Sequence, residues 1–361
     1  MALLEINNVA LRGVSAVVPP KKVSSYDFDF FSHEEAELFV DTVGIKNRYM
    51  ADDTICASDM CCVAAERLIK DLGWNKEDIG ILSFESVTAD YRTPPTSCIL
   101  QDRLSLPSSC MTFDLPMGCC GMLYSIAIVG SMMQTGCVKK SLLLIGDTIT
   151  RMSSPYDQSR VPLFGDCGTA LALEYDENAD KIIADFNTLG SGFRSLITPH
   201  SGFRHQVTPE SFKYEDFGHG IKRAPVHSVI QGMDVFAFAI SKPPKSIKSL
   251  LDAYHIDKDN DIDYFLFHQA NKKIVDTIAK KIKIDQNKVP SNIEEFANTG
   301  GASIAMLMVT DIRKEIENKS LSLLLSAFGL GLTWGTMLLK TNKVIVSDLI
   351  IMNEENKENI E

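Results

Sequence analysis

Two adjacent cysteines, Cys119 and Cys120, follow a short strand-like segment at 111–114 and precede an uncharged apolar segment that runs to Thr135. The apolar positions that recur at helical spacing are Met122, Ile126, Val129 and Met133. This spacing predicts a helix that begins directly after the cysteines. The unpaired N–H groups and the dipole at a helix N-terminus favour negative charge, so a cysteine at this turn is expected to be driven towards its nucleophilic thiolate form. Free cysteines are usually buried and inert, so this stretch alone leaves both interpretations open.

A histidine and an asparagine occupy similar places further along the chain. His268 ends an apolar strand-like run, and the polar Gln269 and Asn271 come shortly after it. Asn298 lies in the peptide Phe-Ala-Asn-Thr-Gly-Gly-Ala, just before another apolar helical segment. A turn asparagine and a histidine at a strand end are each common structural features. Three strand-to-helix junctions that carry Cys, His and Asn nevertheless favour one site at which a cysteine nucleophile acts.

The chain contains an internal repeat at an offset of 183 residues. Leu-Ser-Phe-Glu ending at Glu85 matches Phe-Leu-Phe-His ending at His268, and Gly118-Cys119 matches Gly301-Ala302. In each copy a strand leads into a Gly-rich turn and a buried helix, which predicts two similar α/β units. Two such halves would pack about a pseudo-twofold axis with buried central helices between layers. Functional residues are then expected where equivalent strand ends meet.

The repeat also predicts the domain organisation. The first half is assigned to residues 1–178 and the second half to residues 179–345. Residues 346–361 are assigned to a polar tail, which is acidic and is expected to fray from Ser347. Residues 190–228 are rich in Gly, Pro, Ser and His and show little periodicity, so they are expected to form an inserted loop or cap.

Five motifs, in their order along the chain, resemble those of the thiolase-fold condensing enzymes, and specifically those of the β-ketoacyl-[acyl carrier protein] synthase III family. They are Asp-Leu-Pro-Met-Gly-Cys-Cys-Gly at 114–121, Leu-Phe-Gly-Asp-Cys-Gly at 163–168, His-Gln-Ala-Asn at 268–271, Asn-Thr-Gly-Gly-Ala-Ser at 298–303 and Phe-Gly-Leu-Gly-Leu-Thr-Trp-Gly at 328–335. Each motif is weak by itself, but together they cover nearly the whole chain. The resemblance implies a thiolase-like fold and an acyltransferase.

By position, the resemblance implies that Cys119 is the nucleophile and that His268 and Asn298 complete a triad. The Cys119 thiolate would take an acyl group from an acyl-CoA or acyl-carrier thioester. Backbone N–H groups of Cys119 and of the glycine-rich loop near Leu330 would hold the oxyanion. His268 and Asn298 would bind the thioester carbonyl of a malonyl thioester as it loses CO2, and the resulting enolate would attack the acyl-enzyme. This route to a 3-oxoacyl thioester needs no metal or redox cofactor.

Several positions depart from the family's pattern. The places of a Trp and an Arg that clamp the adenine of coenzyme A are taken here by Leu38 and Thr42, which weakens the case for coenzyme A as the acyl donor. The Arg that follows His-Gln-Ala-Asn is here Lys273, which keeps a positive charge for docking. A bulky Phe that reaches into the partner subunit's acyl pocket in one branch falls near Thr93, which predicts a different, roomier pocket. These traits are typical of a divergent branch in secondary metabolism or surface-glycan pathways.

The charge of the chain limits the classes of macromolecule that it is expected to bind. The formal net charge of −11 argues against nucleic acid as a general partner. A local basic patch on one predicted helix and its end could still dock an acidic acyl carrier protein, although a solvated helix face is the commoner explanation. The lysines of this patch are Lys272, Lys273, Lys280, Lys281 and Lys283. The resemblance further implies a homodimer.

The N-terminus, the cysteines and the one long uncharged run predict a cytoplasmic protein that does not insert into a membrane. The N-terminus lacks the layout of a signal peptide, and nine cysteines without such a signal suggest reduced thiols. The uncharged run at 115–138 is long enough to cross a bilayer, but it contains proline and several glycines. A helix buried inside a large α/β core explains it better.

Other classes of protein fit these residues less well. Papain-like proteases also order Cys, His and Asn along the chain, but their cysteine has a different sequence context. A zinc site built from Cys56, Cys61, Cys62, Cys119 and Cys120 would lack paired motifs. A non-catalytic subunit would usually have lost the cysteine.

Two alternatives within the fold remain open. One is an acyltransferase that passes its acyl group to an alcohol or amine without condensation. The other is an enzyme similar to 3-hydroxy-3-methylglutaryl-CoA synthase, for which Glu85 would be the catalytic acid.

Overall fold

The computed structural model describes residues 2–353 of the 361-residue chain. Within that range the chain forms ten α-helices and eighteen strands. The helices are α1 (His33–Val43), α2 (Ala57–Leu72), α3 (Thr96–Arg103), α4 (Gly121–Met133), α5 (Gly232–Ala239), α6 (Lys242–Tyr254), α7 (Lys272–Ile282), α8 (Ile293–Phe296), α9 (Ser303–Thr310) and α10 (Arg313–Asn318). The strands are β1 (Ala2–Ile6), β2 (Val9–Val18), β3 (Lys21–Ser24), β4 (Asn47–Met50), β5 (Ile79–Glu85), β6 (Met111–Leu115), β7 (Lys140–Asp147), β8 (Cys167–Tyr175), β9 (Ile182–Thr188), β10 (Leu196–Ile197), β11 (Glu215–Asp216), β12 (Lys222–Arg223), β13 (Val229–Ile230), β14 (Tyr264–Phe267), β15 (Ser322–Gly329), β16 (Thr333–Lys340), β17 (Ile345–Val346) and β18 (Ile350–Ile351).

Two sheets form the body of the molecule. The larger has the order β17-β2-β8-β7-β5-β6, with β18 also paired to β2, and the smaller has the order β1-β9-β16-β15-β14. Helix α2 packs on the outer face of the larger sheet, and α6 packs on the outer face of the smaller one. Helices α4 and α9 lie between the sheets and contact strands of both. The predicted α/β class with buried central helices between layers is therefore confirmed.

The central helices are buried because their sequences are apolar on every face. Neither α4 nor α9 contains a charged residue, and both contribute to the core cluster that fills the space between the two sheets. A helix without a polar face is stable only when protein covers all its sides. Each helix is preceded by a short 3-10 turn, Gly118–Cys120 before α4 and Gly300–Ala302 before α9. These turns are the repeated Gly-rich junctions seen in the sequence.

Each end of the chain pairs with a strand of the opposite half. The division at 178/179 falls between β8 and β9, yet β1 pairs with β9 in the smaller sheet. At the other end, β17 and β18 both pair in parallel with β2 of the larger sheet. Each sheet thus contains a strand from the opposite end of the chain, which ties the halves together.

The expectation that the chain frays from Ser347 is wrong as far as Met352. The Ser347 N–H donates to the Val14 carbonyl at 3.0 Å, and the Met352 N–H donates to the Val18 carbonyl at 2.9 Å. The Met352 side chain is buried in the core beneath α2. Apolar burial and strand pairing therefore outweigh the acidic composition. The rest of the tail, 354–361, lies outside the described residues.

The segment predicted as an inserted loop or cap contains only short strands and turns. Its two ends are held together where β10 pairs antiparallel with β13. No helix found in residues 2–353 combines the length and apolarity needed to cross a bilayer.

Candidate active site

One cavity of about 230 Å³ is lined by all three side chains predicted to be catalytic. Cys119 reaches it from the turn before α4, His268 from the end of β14, and Asn298 from the turn region before α9. Leu330, in the 3-10 turn that follows β15, lines the same space. The remaining wall is mostly apolar and includes residues from both ends of the cap segment. The fold therefore brings together residues as far apart in sequence as Cys119 and Leu330.

The turn that carries Cys119 distinguishes it from its neighbour. Gly118 has φ +57°, and a Cβ built on it would lie 2.4 Å from Leu330 Cδ1, so glycine fits both the turn and the space. Cys119 is partly exposed and lines the cavity, whereas Cys120 is fully buried in the core between the sheets. The Cys120 thiol lies 3.5 Å from the Thr333 carbonyl and can donate to it. A thioester in the cavity can thus meet Cys119 but not Cys120.

The resting Cys119 thiol is not acidic. Burial raises its pKa to about 12, with a further contribution from the Asp147 carboxyl group. This result differs from the expectation of a thiolate at the helix N-terminus, because loss of water disfavours the charged sulfur more than the nearby N–H groups favour it. The backbone N–H groups that do favour the thiolate belong to Leu330 and Cys119 itself. They are the same two groups that the predicted oxyanion hole requires.

The glycine-rich loop approaches Cys119 closely. A Cβ built on Gly329 would lie 2.6 Å from both Cβ and Sγ of Cys119. Real side chains do not come this close, so glycine at this position is what allows the Leu330 N–H to face the sulfur. Sequence patterns indicated the loop, but not this steric reason for it.

His268 is held as a neutral imidazole. Its side chain is 1% exposed, and burial lowers its pKa to about 4. Nδ1 lies 2.8 Å from Ser303 Oγ, which also lies 3.4 Å from the Gln269 N–H. If Ser303 accepts from Gln269 and donates to Nδ1, the proton of His268 sits on Nε2 and is available to the cavity. Ser303 ends the motif Asn-Thr-Gly-Gly-Ala-Ser, and the sequence alone does not indicate this role for it.

Asn298 is fixed in an orientation that leaves its amide donors free. Its Oδ1 accepts the Gly300 N–H at 3.0 Å. Its backbone is anchored on both sides, since its N–H donates to the Leu163 carbonyl and its own carbonyl accepts the Gly165 N–H. Within residues 2–353 the Nδ2 group has no hydrogen-bond partner, although Asn298 lines the cavity. Nδ2 can therefore donate to a bound ligand.

Glu85 does not reach this cavity. Its carboxyl group is buried between two glycines, and a Cβ on either would collide with it: 1.9 Å from Cδ for Gly121 and 2.3 Å from Oε2 for Gly301. Burial and the nearby Asp147 raise the pKa of Glu85 well above its usual value. Backbone N–H groups of Met117 and Gly118 face it at a geometry that falls short of a hydrogen bond. Glu85 supports the Cys119 turn and has no access to a ligand.

Lys273 lies at the mouth of the cavity. Its side chain is exposed, and Nζ is 5.9 Å from the ring centroid of Phe236, which lines the cavity. Helix α1 packs against α7 here, and Thr42 forms a shallow depression with lysines of α7. Leu38, which lies on α1 with Thr42, is exposed. The surface around the mouth therefore offers positive charge, and positions 38 and 42 supply neither an aromatic ring nor a guanidinium.

Thr93 does not line the cavity of its own chain. It lies in an exposed loop, where the neighbouring Arg92 donates from Nη2 to the Ser201 carbonyl at 2.7 Å. No group of three or more His, Cys, Asp or Glu side chains within the described part of the chain could hold a metal ion.

Comparison with known proteins agrees with this architecture. A model for the 3-oxoacyl-[acyl-carrier-protein] synthase III family matches residues 113–192, and a model for the C-terminal part of the same family matches residues 253–341. A β-ketoacyl-[acyl-carrier-protein] synthase III of Streptococcus pneumoniae is 30% identical over 341 residues, which cover 94% of this chain and 99% of that protein. A relative of the same name from Caldanaerobacter subterraneus is 28% identical over 92% of this chain and 98% of its own length.

A solved structure shows the same fold. The 3-oxoacyl-(acyl-carrier protein) synthase of Burkholderia xenovorans superposes with a TM-score of 0.90 at 33% identity, covering 97% of this chain and 99% of that one. The fold is that of a thiolase-fold condensing enzyme. The chain belongs to the 3-oxoacyl-[acyl-carrier-protein] synthase III family, whose members are transferases.

Proposed function

We propose that this protein transfers an acyl group from a thioester to Cys119 and then condenses it with a malonyl thioester. The observation that carries the proposal is the single cavity in which Cys119, His268 and Asn298 meet, with two backbone N–H groups facing the sulfur. Each group has a distinct role in this reaction. No metal or redox cofactor takes part in either step.

The first step is acylation. The Cys119 sulfur attacks the thioester carbonyl, the new S–C bond forms, and the carrier's C–S bond breaks. The proton of the Cys119 thiol passes to the departing sulfur. The N–H groups of Leu330 and Cys119 lie beside the attacking sulfur, and we place the oxygen of the bound carbonyl against them. They stabilise the negative charge of the tetrahedral intermediate.

The second step is decarboxylative condensation. Nε2–H of His268 and Nδ2–H of Asn298 donate to the thioester carbonyl of the malonyl group. The bond to the carboxylate breaks, CO2 leaves, and the electron pair forms an enolate whose oxygen these donors stabilise. The enolate carbon attacks the acyl carbonyl on Cys119, a C–C bond forms, and the Cys119 C–S bond breaks. The Cys119 thiolate then takes a proton from solvent water, and the 3-oxoacyl thioester departs.

The neutral state of His268 suits this role. A neutral imidazole can donate from Nε2 without presenting a full positive charge to the malonyl carboxylate. A full positive charge would bind that carboxylate and oppose its loss as CO2. The position of Glu85 outside the cavity disfavours a mechanism that needs it as a catalytic acid.

Intact-mass spectrometry with peptide mapping tests the assignment. Wild-type protein exposed to acyl thioesters should gain one acyl group on Cys119, and a Cys120→Ala variant should still be loaded. His268→Ala and Asn298→Ala should both keep loading but lose formation of the 3-oxoacyl product. Acyl adducts on Cys120, or loss of loading in both triad variants, would contradict the division of roles.

The carrier is proposed to dock on the basic face of α7. Acyl carrier protein is acidic, and this chain carries a net charge of −11, so attraction must come from a local patch. Lys273 lies over Phe236 at the cavity mouth, where a phosphopantetheine arm would enter. Positions 38 and 42 lack the adenine-binding side chains of the family, which favours a carrier-linked donor over coenzyme A.

Kinetics with two kinds of donor test this surface. Lys273→Glu should raise the KM for a carrier-linked donor several-fold while leaving a small thioester mimic nearly unchanged, and added salt should weaken only carrier-dependent turnover. Lys70→Glu is the matched control, because Lys70 is an exposed lysine near the end of α2. Equal impairment of both donors by Lys273→Glu would show that this helix is not the docking surface.

We also infer a homodimer in a reducing compartment such as the cytoplasm. The loop of Thr93 and the cap form a joint surface, because Arg92 lies over the Phe203 ring at 5.0 Å. This surface exposes large apolar side chains, with Tyr91 63% and Phe203 78% exposed, which favours coverage by a second subunit. Thr93 would then approach the partner's acyl pocket. Light scattering at micromolar concentration should give twice the chain mass, and a monomer would count against it.

A further inference from the structure

The cavity wall contains a buried arginine that the mechanism does not use. Arg160 precedes the 3-10 turn Val161–Leu163, and its backbone N–H donates to the Asp157 carbonyl at 3.0 Å. The residue is 5% exposed and lines the cavity together with Cys119. Its guanidinium carbon lies 4.6 Å from the ring centroid of Phe164, which forms a β-bridge with Asn298. Arg160 is thus held beside the reacting groups.

This guanidinium has no anionic partner in the protein. Across residues 2–353, no hydrogen bond or ion pair to a side chain involves it, and its Nε is shut off from solvent without a partner. The nearest candidate, Asp157, is already paired with Arg223 at 3.4 Å and accepts from the Ser159 hydroxyl at 2.5 Å. Burial lowers the pKa of Arg160 to about 10, which leaves it charged at neutral pH.

A buried, unpaired cation is costly, and such groups in binding sites are usually compensated by a ligand. The planar guanidinium matches a carboxylate in particular, because its parallel N–H groups can bind both oxygens. The walls around it are apolar, including Ile149, Met152 and Leu163. A ligand that fits is therefore an apolar chain that ends in a carboxylate.

The proposed reaction brings two anionic groups near the site, a carboxylate on the acyl group would be a third, and the geometry separates them. The phosphate of a pantetheine arm stays on the solvent side, by the exposed Lys273, whereas Arg160 is buried. The malonyl carboxylate must leave as CO2, and a guanidinium bonded to it would stabilise the ground state and slow that loss. A second carboxylate on the acyl group itself survives the reaction and can stay bound throughout.

We propose that Arg160 determines acyl specificity by binding the distal carboxylate of a dicarboxylic acyl group that is delivered to Cys119 as a thioester. The inference rests on the proposed acyl transfer to Cys119 and names the class of acyl donor. In the loading step only the thioester end reacts: the Cys119 S–C bond forms, the donor's C–S bond breaks, and the distal carboxylate is unchanged. Condensation then gives a 3-oxoacyl thioester that keeps a terminal carboxylate.

Matched pairs of thioesters test the proposal by intact-mass loading rates. The pairs are succinyl with butyryl, glutaryl with pentanoyl, and adipyl with hexanoyl, each on the same carrier. Wild-type protein should load the dicarboxylic member of at least one pair about 10- to 150-fold faster, the range given by a charge-assisted hydrogen bond. Arg160→Gln should lose this preference and load the monocarboxylic member at least as fast as wild type. Arg160→Lys should keep part of the preference, because it keeps the charge but loses the planar fork.

The controls separate the possible failures. Arg194→Gln removes an exposed arginine that does not line the cavity, and it should behave as wild type. Wild-type protein that loads monocarboxylic groups as fast as their dicarboxylic partners overturns the role of Arg160 but leaves the acyl transfer intact. A change confined to the KM for the malonyl thioester in Arg160→Gln would assign the guanidinium to the extender and also overturn it. Failure of wild-type protein to load any thioester on Cys119 would instead refute the proposed function.

Discussion

Burial of His268 should make the free energy of unfolding depend on pH, and a variant without the histidine can separate this contribution from those of other groups. The pKa of His268 is lowered from 6.5 to about 4 in the folded protein. The unfolded chain therefore binds a proton below pH 6.5 that the folded protein binds only near pH 4. Stability contributed by neutral His268 is present at high pH and is lost as pH falls through this window. The loss between pH 7 and pH 5 is about 2 kcal/mol, from one group with these two pKa values.

Buried carboxyl groups act in the opposite direction, among them Glu85, whose pKa burial raises well above its usual value. Burial raises the pKa of Asp147 and of Asp166 to about 6 each. Their folded forms bind protons more readily than the unfolded chain does, so each adds roughly 1 kcal/mol of stability between pH 7 and pH 5. The profile of the wild-type protein therefore sums opposing contributions from His268 and from these carboxyl groups. A comparison with a His268 variant is needed to reveal the histidine.

Urea unfolding at pH 7 and pH 5 measures the difference. His268→Asn has no titratable group at this position, so its free energy of unfolding relative to wild type should rise by about 2 kcal/mol on acidification. Asn298→Ala is the matched control, since it alters the same cavity without changing a titratable group, and it should keep the wild-type pH dependence. Protein concentration must be the same throughout, because subunit association would contribute. Identical pH dependence for wild type and His268→Asn would refute a neutral His268.

Three further substitutions test contacts around the site and the tail. Ser303→Ala should slow condensation about tenfold without slowing Cys119 loading, because one hydrogen bond that sets the His268 tautomer is lost; equal effects on both steps, separated by loading and turnover assays, would contradict it. Gly329→Ala should abolish loading, since its Cβ would lie 2.6 Å from the Cys119 sulfur, and unchanged loading by intact mass would show that the loop can move aside. Met352→Ala should reduce the free energy of unfolding by about 2–4 kcal/mol, as measured by urea unfolding, and a change under 0.5 kcal/mol would mean that the C-terminal strand is not part of the core.

The sequence predicted the architecture well because each helix, strand and turn has a recognisable local pattern of apolar residues and glycines. Apolar strands, Gly-rich turns and uncharged helical segments recur at one offset, and each reflects the period of its own backbone conformation. The central helices around Met122 and Ile304 had to be buried, since they offer water no polar face. The tail was misjudged because its acidic composition hides the single apolar stretch that ends at Met352.

Sequence motifs also selected Cys119, His268, Asn298 and Leu330, and the structure places all four around one cavity. The residue types and their place at strand-to-helix junctions were enough, since turns at the same ends of packed strands converge. Sequence by itself therefore determined the fold class and the set of residues that face each other.

Only the tertiary structure decided the electrostatic state of those residues. The Cys119 thiol is protonated and His268 is neutral because neighbours distant in sequence exclude water from both, and desolvation depends on what surrounds a group and not on its own segment. The absence of a partner for the Arg160 guanidinium is likewise a property of three-dimensional packing. In sequence it stands three residues from Asp157, and only the folded chain shows that this carboxylate is paired with Arg223.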